Sequence, residues 1–126
     1  MPITTHSYKV DSDVVKTEGR NRYSRDEATL LAGSGPVECG AVLGKVTASG
    51  KFKPLAPTAT DGSQTAAAVI LETTLANTAD QTVVILSRHA EIVLQALVWP
   101  AGITNTQKTA AIAQLQSQGI VARNGV

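Results

Sequence analysis

A turn that runs without pause into small and β-branched residues, ATDGSQTAAAVILE at residues 59–72, limits this chain more than any other stretch. Asp61 and Gly62 are residue types that tolerate positive φ in a turn. The following Ala66, Ala67, Ala68, Val69, Ile70 and Leu71 suit a strand that neighbouring backbone approaches closely. The passage contains no reactive constellation and reads as packing architecture. A β-rich fold with tightly apposed strands is the expectation.

A chain of 126 residues, 43% of them hydrophobic, can form one domain with a real core. That core must be aliphatic. Tyr8 and Tyr23 lie in the polar first quarter, so Phe52 and Trp99 supply nearly all the large rings a core could use. Small side chains bury little area, at about 25 cal/mol per Å² of apolar surface, which predicts modest stability and a gain from self-association. A net charge of +1 argues against a nucleic-acid partner, because phosphate backbones call for a clustered positive field. Charge is concentrated at the front, and after Glu91 only Lys108 and Arg123 remain. The pattern suggests a solvated arm followed by a packed body.

Cys39 is the single cysteine, which rules out an intrachain disulfide and is compatible with a reducing compartment. Residues 1–10 hold no apolar stretch of signal-peptide length. The most apolar region, residues 82–99, is interrupted by Arg88, His89 and Glu91 and cannot span a membrane. A soluble intracellular product is expected, with no membrane partner.

Residues 1–22 show no sustained periodicity and read as a flexible arm, with residues 23–126 as the compact domain. Val10, Val14 and Val15 are the arm's clustered aliphatics. An extended piece there can add to another sheet edge, although a frayed terminus explains the same composition.

Strands are expected at residues 25–31, 41–47, 66–71 and 82–86, with a short hairpin arm at 51–53. Residues 90–98 satisfy both a strand parity and a helical template. They read as strand to Leu94, with Arg88, His89 and Glu91 forming a turn or bulge between paired segments. A helix is predicted over 106–117, capped by Thr104 or Asn105, with an apolar stripe of Ala110, Ile112, Ala113 and Leu115, and with Gly119 at its C-terminal end. Residues 120–123 are a closing strand. The class is α+β and β-rich: two sheets or a small barrel, one C-terminal helix and the N-terminal arm.

Catalytic and ligand-binding patterns fail one by one. GAVLGK at residues 40–45 has three residues between its glycines where a phosphate loop needs four, and Val46 replaces the magnesium-binding hydroxyl. Asp11 and Asp13 begin like a calcium loop, but Val15 stands where an oxygen ligand belongs. His6 and His89 have no His or Cys at metal-ligand spacing. Ser34 in AGSGP lacks the nucleophile-elbow pattern, and Cys39 among Val37, Ala41 and Val42 reads as a small buried hydrophobe. Glu72 and Glu91 have no sequence reason to meet as an acid and base pair. No catalytic residue, cofactor or metal is expected.

Five segments in register, RDEATLLAGSG, GAVLGKVTASGKFKPL, TDGSQTAAAVIL, VVILSRHAEI and ALVWP, span roughly Tyr23 to Pro100 and resemble the head decoration protein family of tailed bacteriophages. The resemblance implies a small mixed fold rich in β structure and a non-enzymatic homotrimer. Such a trimer sits at local threefold sites of the expanded capsid, binds the major capsid protein and secures the shell against packaged DNA. It also implies an N-terminal arm that orders on the capsid, a role that falls here on Tyr8, Val10, Val14 and Val15. Synthesis would be in the host bacterial cytoplasm. Ala67, Val69, Leu97, Trp99 and Pro100 are the candidates for trimer or core packing. The alternatives are a small β-rich binding or adhesion module on a virion or cell surface, and an enzyme using Cys39 or His89.

Overall fold

In the computed structural model, which describes residues 11–19, 24–75 and 78–124, the turn-and-alanine passage forms part of the wall of a barrel. Chain order begins with a helical turn α1 (Asp11–Val14), β1 (Val15–Glu18), β2 (Arg25–Leu30), β3 (Val42–Lys45) and β4 (Phe52–Pro54). It continues with β5 (Ala66–Ile70), β6 (Gln81–Leu86), β7 (Ala90–Val93), a 3-10 turn (Leu94–Ala96), α2 (Asn105–Ser117) and β8 (Ile120–Arg123). Five strands close in the order β2-β4-β3-β5-β6, and the remaining three form a sheet in the order β1-β7-β8.

Alternation along the barrel strands decides what fills the barrel. Ala68 and Ile70 on β5 and Val83 and Ile85 on β6 point inward to meet Leu30 and Leu43. Val69 and Leu86 point outward, into a second core shared with α2 and the three-stranded sheet. β5 is therefore buried on both faces, which explains its continuous apolar run. The barrel closes through six antiparallel pairs from Arg25↔Leu86 to Leu30↔Gln81 and a short parallel contact, Leu30↔Phe52.

Helix α2 starts where sequence chemistry says it should. Thr104 Oγ1 accepts from the Gln107 N–H at 3.1 Å and Gln107 Oε1 accepts from the Thr104 N–H at 2.9 Å, a capping box worth about 1 kcal/mol. Gly119, at φ +82°, ends it. Gln114 Oε1 accepts from the Ala66 N–H at 2.8 Å and ties the helix to the start of β5.

The β-rich class, the capped helix, the closing strand and an aliphatic core all stand, and other expectations change. Residues 11–18 belong to the folded body: Val14 has 0% exposure, and Val15 pairs with Ile92 on β7. Of the valines that suggested addition to a foreign sheet edge, Val15 pairs with this chain's own β7 and Val14 packs in the core beside it, while Val10 lies outside the described residues. Arg88 and His89 do not join two paired strands but lead from the barrel to the other sheet, His89 turning the chain at φ +47°. Phe52 and Trp99 are half-buried at core margins, since Leu, Ile and Val already fill the interior. On α2 the buried pair is Ala111 and Leu115, while Ala110 and Ala113 face solvent. Alanine favours a helix whether or not it is buried, so its spacing misplaced the stripe.

Candidate interaction surfaces

The sequence-selected residues separate into distinct places. Tyr8 and Val10 lie outside the described residues. Val69 and Leu97 are buried in the core shared by barrel, helix and sheet, as is Val14. Ala67, Trp99 and Pro100 remain half-exposed, with Ala67 in one depression and the other two in a separate groove. Cys39 is fully buried and its backbone N–H donates to Thr73 Oγ1 at 3.0 Å, the environment of a packing residue. Glu91 is engaged by Arg123 at 3.2 Å on the three-stranded sheet, whereas Glu72 follows the barrel strand β5. Among the described residues no three His, Cys, Asp or Glu side chains gather as metal ligands.

The described residues form several surface depressions. One, of about 590 Å³, includes Asp26, Glu27, Lys45, Phe52, Ser87 and Arg88. Three of its charged groups have neighbours: the Arg88 guanidinium donates to the Asp26 carboxylate, Ser87 Oγ donates to the same group at 2.7 Å, and Lys45 Nζ lies 5.8 Å from the Phe52 ring centroid. A groove of about 150 Å³ runs between Pro36, Val37, Pro54, Val98, Trp99 and Pro100 and is mostly apolar. Another, about 520 Å³, is a notch bordered by residues 72–75 and 81–83. Beside it stands Leu75, 77% exposed, the one large apolar side chain so exposed among the described residues.

Three surface carboxylates are clasped by hydrogen bonds, Asp26 and Asp80 across segments distant in sequence and Asp61 within its own turn. Asp26 is held below the usual carboxylate range by its hydrogen bond from Arg88 and then by that from Ser87. Asp61 is lowered by the Ser63 hydroxyl and then by the Ser63 N–H, and Asp80 by the Lys51 ammonium and then by the Ala32 N–H. A depressed folded-state pKa contributes stability that is complete above the unfolded value of about 3.9 and is lost as pH falls through the lowered folded value. Thermal unfolding should therefore show a midpoint that drops below about pH 4, with a smaller drop in high salt because these groups are exposed. A midpoint unchanged down to pH 2.5 would remove the clasps from the account of stability.

Sequence reading gave no hint of the Asp26–Arg88 clasp or of the notch, because both arise from pairing between residues remote in sequence. The only local clue to the notch is Leu75, a lone leucine in a polar stretch.

Taken together, the closed barrel, the helix-backed sheet and the shallow surface depressions define a small β scaffold that presents surfaces to other molecules. A sequence model of the family described as bacteriophage lambda head decoration protein D matches residues 4–120, and the chain belongs to that family. Membership makes it a structural protein of the phage head, with a capsid-decorating role on the virion. No curated protein sequence matches the chain.

Proposed function

We propose that the protein is a homotrimeric cementing protein that occupies local threefold sites of the expanded phage head, binds the major capsid protein and stabilises the shell against packaged DNA. The observation that carries this reading is the family match, which begins at residue 4, ahead of the first helical turn at Asp11. The segment before Asp11, with Tyr8 and Val10, is the capsid-binding arm; Val14 and Val15 anchor it to the body.

Two physical arguments support the reading. Three short arms on one rigid trimer engage at raised effective concentration, so weak single contacts combine into tight binding. A ligand that prefers the expanded shell stabilises that state by its difference in affinity alone. The groove at Trp99 and Pro100 is the candidate subunit contact, because it is apolar and lies beside the core. Cyclic assembly needs such a patch to meet a different one on the next copy.

Removing residues 1–10 should leave a folded trimer, with an unchanged unfolding midpoint, that no longer cosediments with expanded heads. A truncated protein that binds heads as the full chain does would refute the arm's role. A monomeric mass for the full chain in sedimentation would refute the trimer.

A further inference from the structure

We infer that the notch between residues 72–75 and 81–83 docks an extended strand of the coat subunit, one with a basic side chain next to an apolar one. This rests on the decoration reading and assigns it a second contact, separate from the arm.

The notch exists because two paired strands part. β5 and β6 are joined at Val69↔Leu86 and Ile70↔Ile85, and the Leu71 N–H donates to the Val84 carbonyl at 3.0 Å. Past that point the chain swings away to Val37, with which Thr74 exchanges two backbone bonds of 2.7 and 3.1 Å. β6 meanwhile stays with β2 as far as Gln81. At residues 81–83 the edge of β6 facing away from β2 thus has no strand on it among the described residues. An uncovered strand edge accepts a further strand.

Two side chains favour a cover on this edge. Thr74 keeps only 9% of its surface exposed, and its Oγ1 is buried with no hydrogen-bond partner. A buried hydroxyl in that condition carries a free-energy cost that an incoming polar group removes. Leu75 stands over the same notch, exposed to water. Charge sets the occupant's character. Glu72 is the only charged residue among those bordering the notch, and nearby Asp80 is already taken by Lys51 at 2.5 Å and by the Ala32 N–H at 2.8 Å. A lysine or arginine is the complement.

Size favours the coat subunit over a second copy. Three register positions at about 3.3 Å per residue accept a segment of about 10 Å. Such a segment buries far less than the roughly 800 Å² per partner typical of a stable pairing. A contact this small serves when it is repeated from each copy of an assembly that is also held elsewhere.

The test uses full-length Thr74→Val and Leu75→Asp, with cosedimentation on expanded heads that lack the protein and with thermal unfolding of the free chain. Thr74→Val should raise the unfolding midpoint, by removing the unpaired hydroxyl, and yet weaken head binding by about tenfold. Leu75→Asp should leave the midpoint unchanged and weaken binding at least as much. A role in folding alone cannot produce that opposite pair of effects in Thr74→Val. If both variants bind heads like the parent, the notch is not a docking site, while the decoration reading stands. If the parent itself fails to bind heads, the decoration reading falls. If the variants change the mass of the free protein instead, a second copy fills the notch and the assignment to the coat is overturned.

Discussion

Gly44→Val is expected to leave little folded protein. A Cβ at this position would stand 2.6 Å from Ser63 Cα and 2.7 Å from Ser63 C, and would strike the Ser63 carbonyl oxygen as well. The obstacle cannot step aside. The Ser63 carbonyl accepts from the Ala56 N–H at 3.0 Å, Ser63 is fully buried, and the Asp61 carbonyl accepts from the Thr47 N–H at 2.9 Å. Forcing β3 and the turn apart costs about 3 kcal/mol or more, a large part of the 5–15 kcal/mol that holds a typical domain together. Gly62→Ala should be comparably harmful. Its φ of +106° strains any side chain, and the new methyl would collide with Thr47 Oγ1 and lie 2.7 Å from the Lys45 carbonyl oxygen. Gly102→Ala is the control: its φ is +77° but nothing lies within 4 Å, so only about 1 kcal/mol should be lost. Thermal unfolding should rank the three in that order, and equal effects would show that close approach is not what the turn demands.

Val14→Asp is the second large effect. The side chain is fully buried in the core between barrel, helix and sheet, and a Cβ on Gly40 would lie 3.4 Å from its Cγ2. A carboxylate there has no cation to meet and costs about 3–5 kcal/mol, which corresponds to a fall in midpoint of roughly 10 °C or more. If residues 11–18 were instead a detachable arm, the substitution would spare the midpoint and reduce only head binding. The two outcomes are opposite, so one melting curve and one cosedimentation experiment decide whether residues 11–18 belong to the body or to the proposed arm.

Legibility in the sequence followed the range of the interactions. The turn at Asp61 and Gly62 could be read because its cause is local: the Asp61 carboxylate accepts from the Ser63 N–H at 3.0 Å while the glycine supplies positive φ. The α2 cap could be read for the same reason. Barrel closure could not, since pairing Arg25 with Leu86 leaves no local trace in either strand. β1 was missed because Lys16, Thr17 and Glu18 look like a solvated segment. Glu18 is in fact a clasp, receiving the Arg25 guanidinium at 2.8 Å, and such a pair has the same composition as a disordered arm. Among the site candidates, Trp99 and Pro100 read as trimer or core packing, and the structure leaves both half-exposed along one groove, a placement that depends on how much aliphatic volume already fills the interior. Thr74 was not legible, because its unpaired hydroxyl exists only once Val37 and Thr74 have met.

The placement of β7 sets an order of events during synthesis. All five barrel strands lie within residues 25–86, so the barrel can close while the rest of the chain is still being made. β7 takes one neighbour from residues 15–18 and the other from residues 120–123. Its sheet can therefore be completed only once β8 has left the ribosome, so the N-terminal residues 15–18 gain their full sheet after the barrel strands are all made.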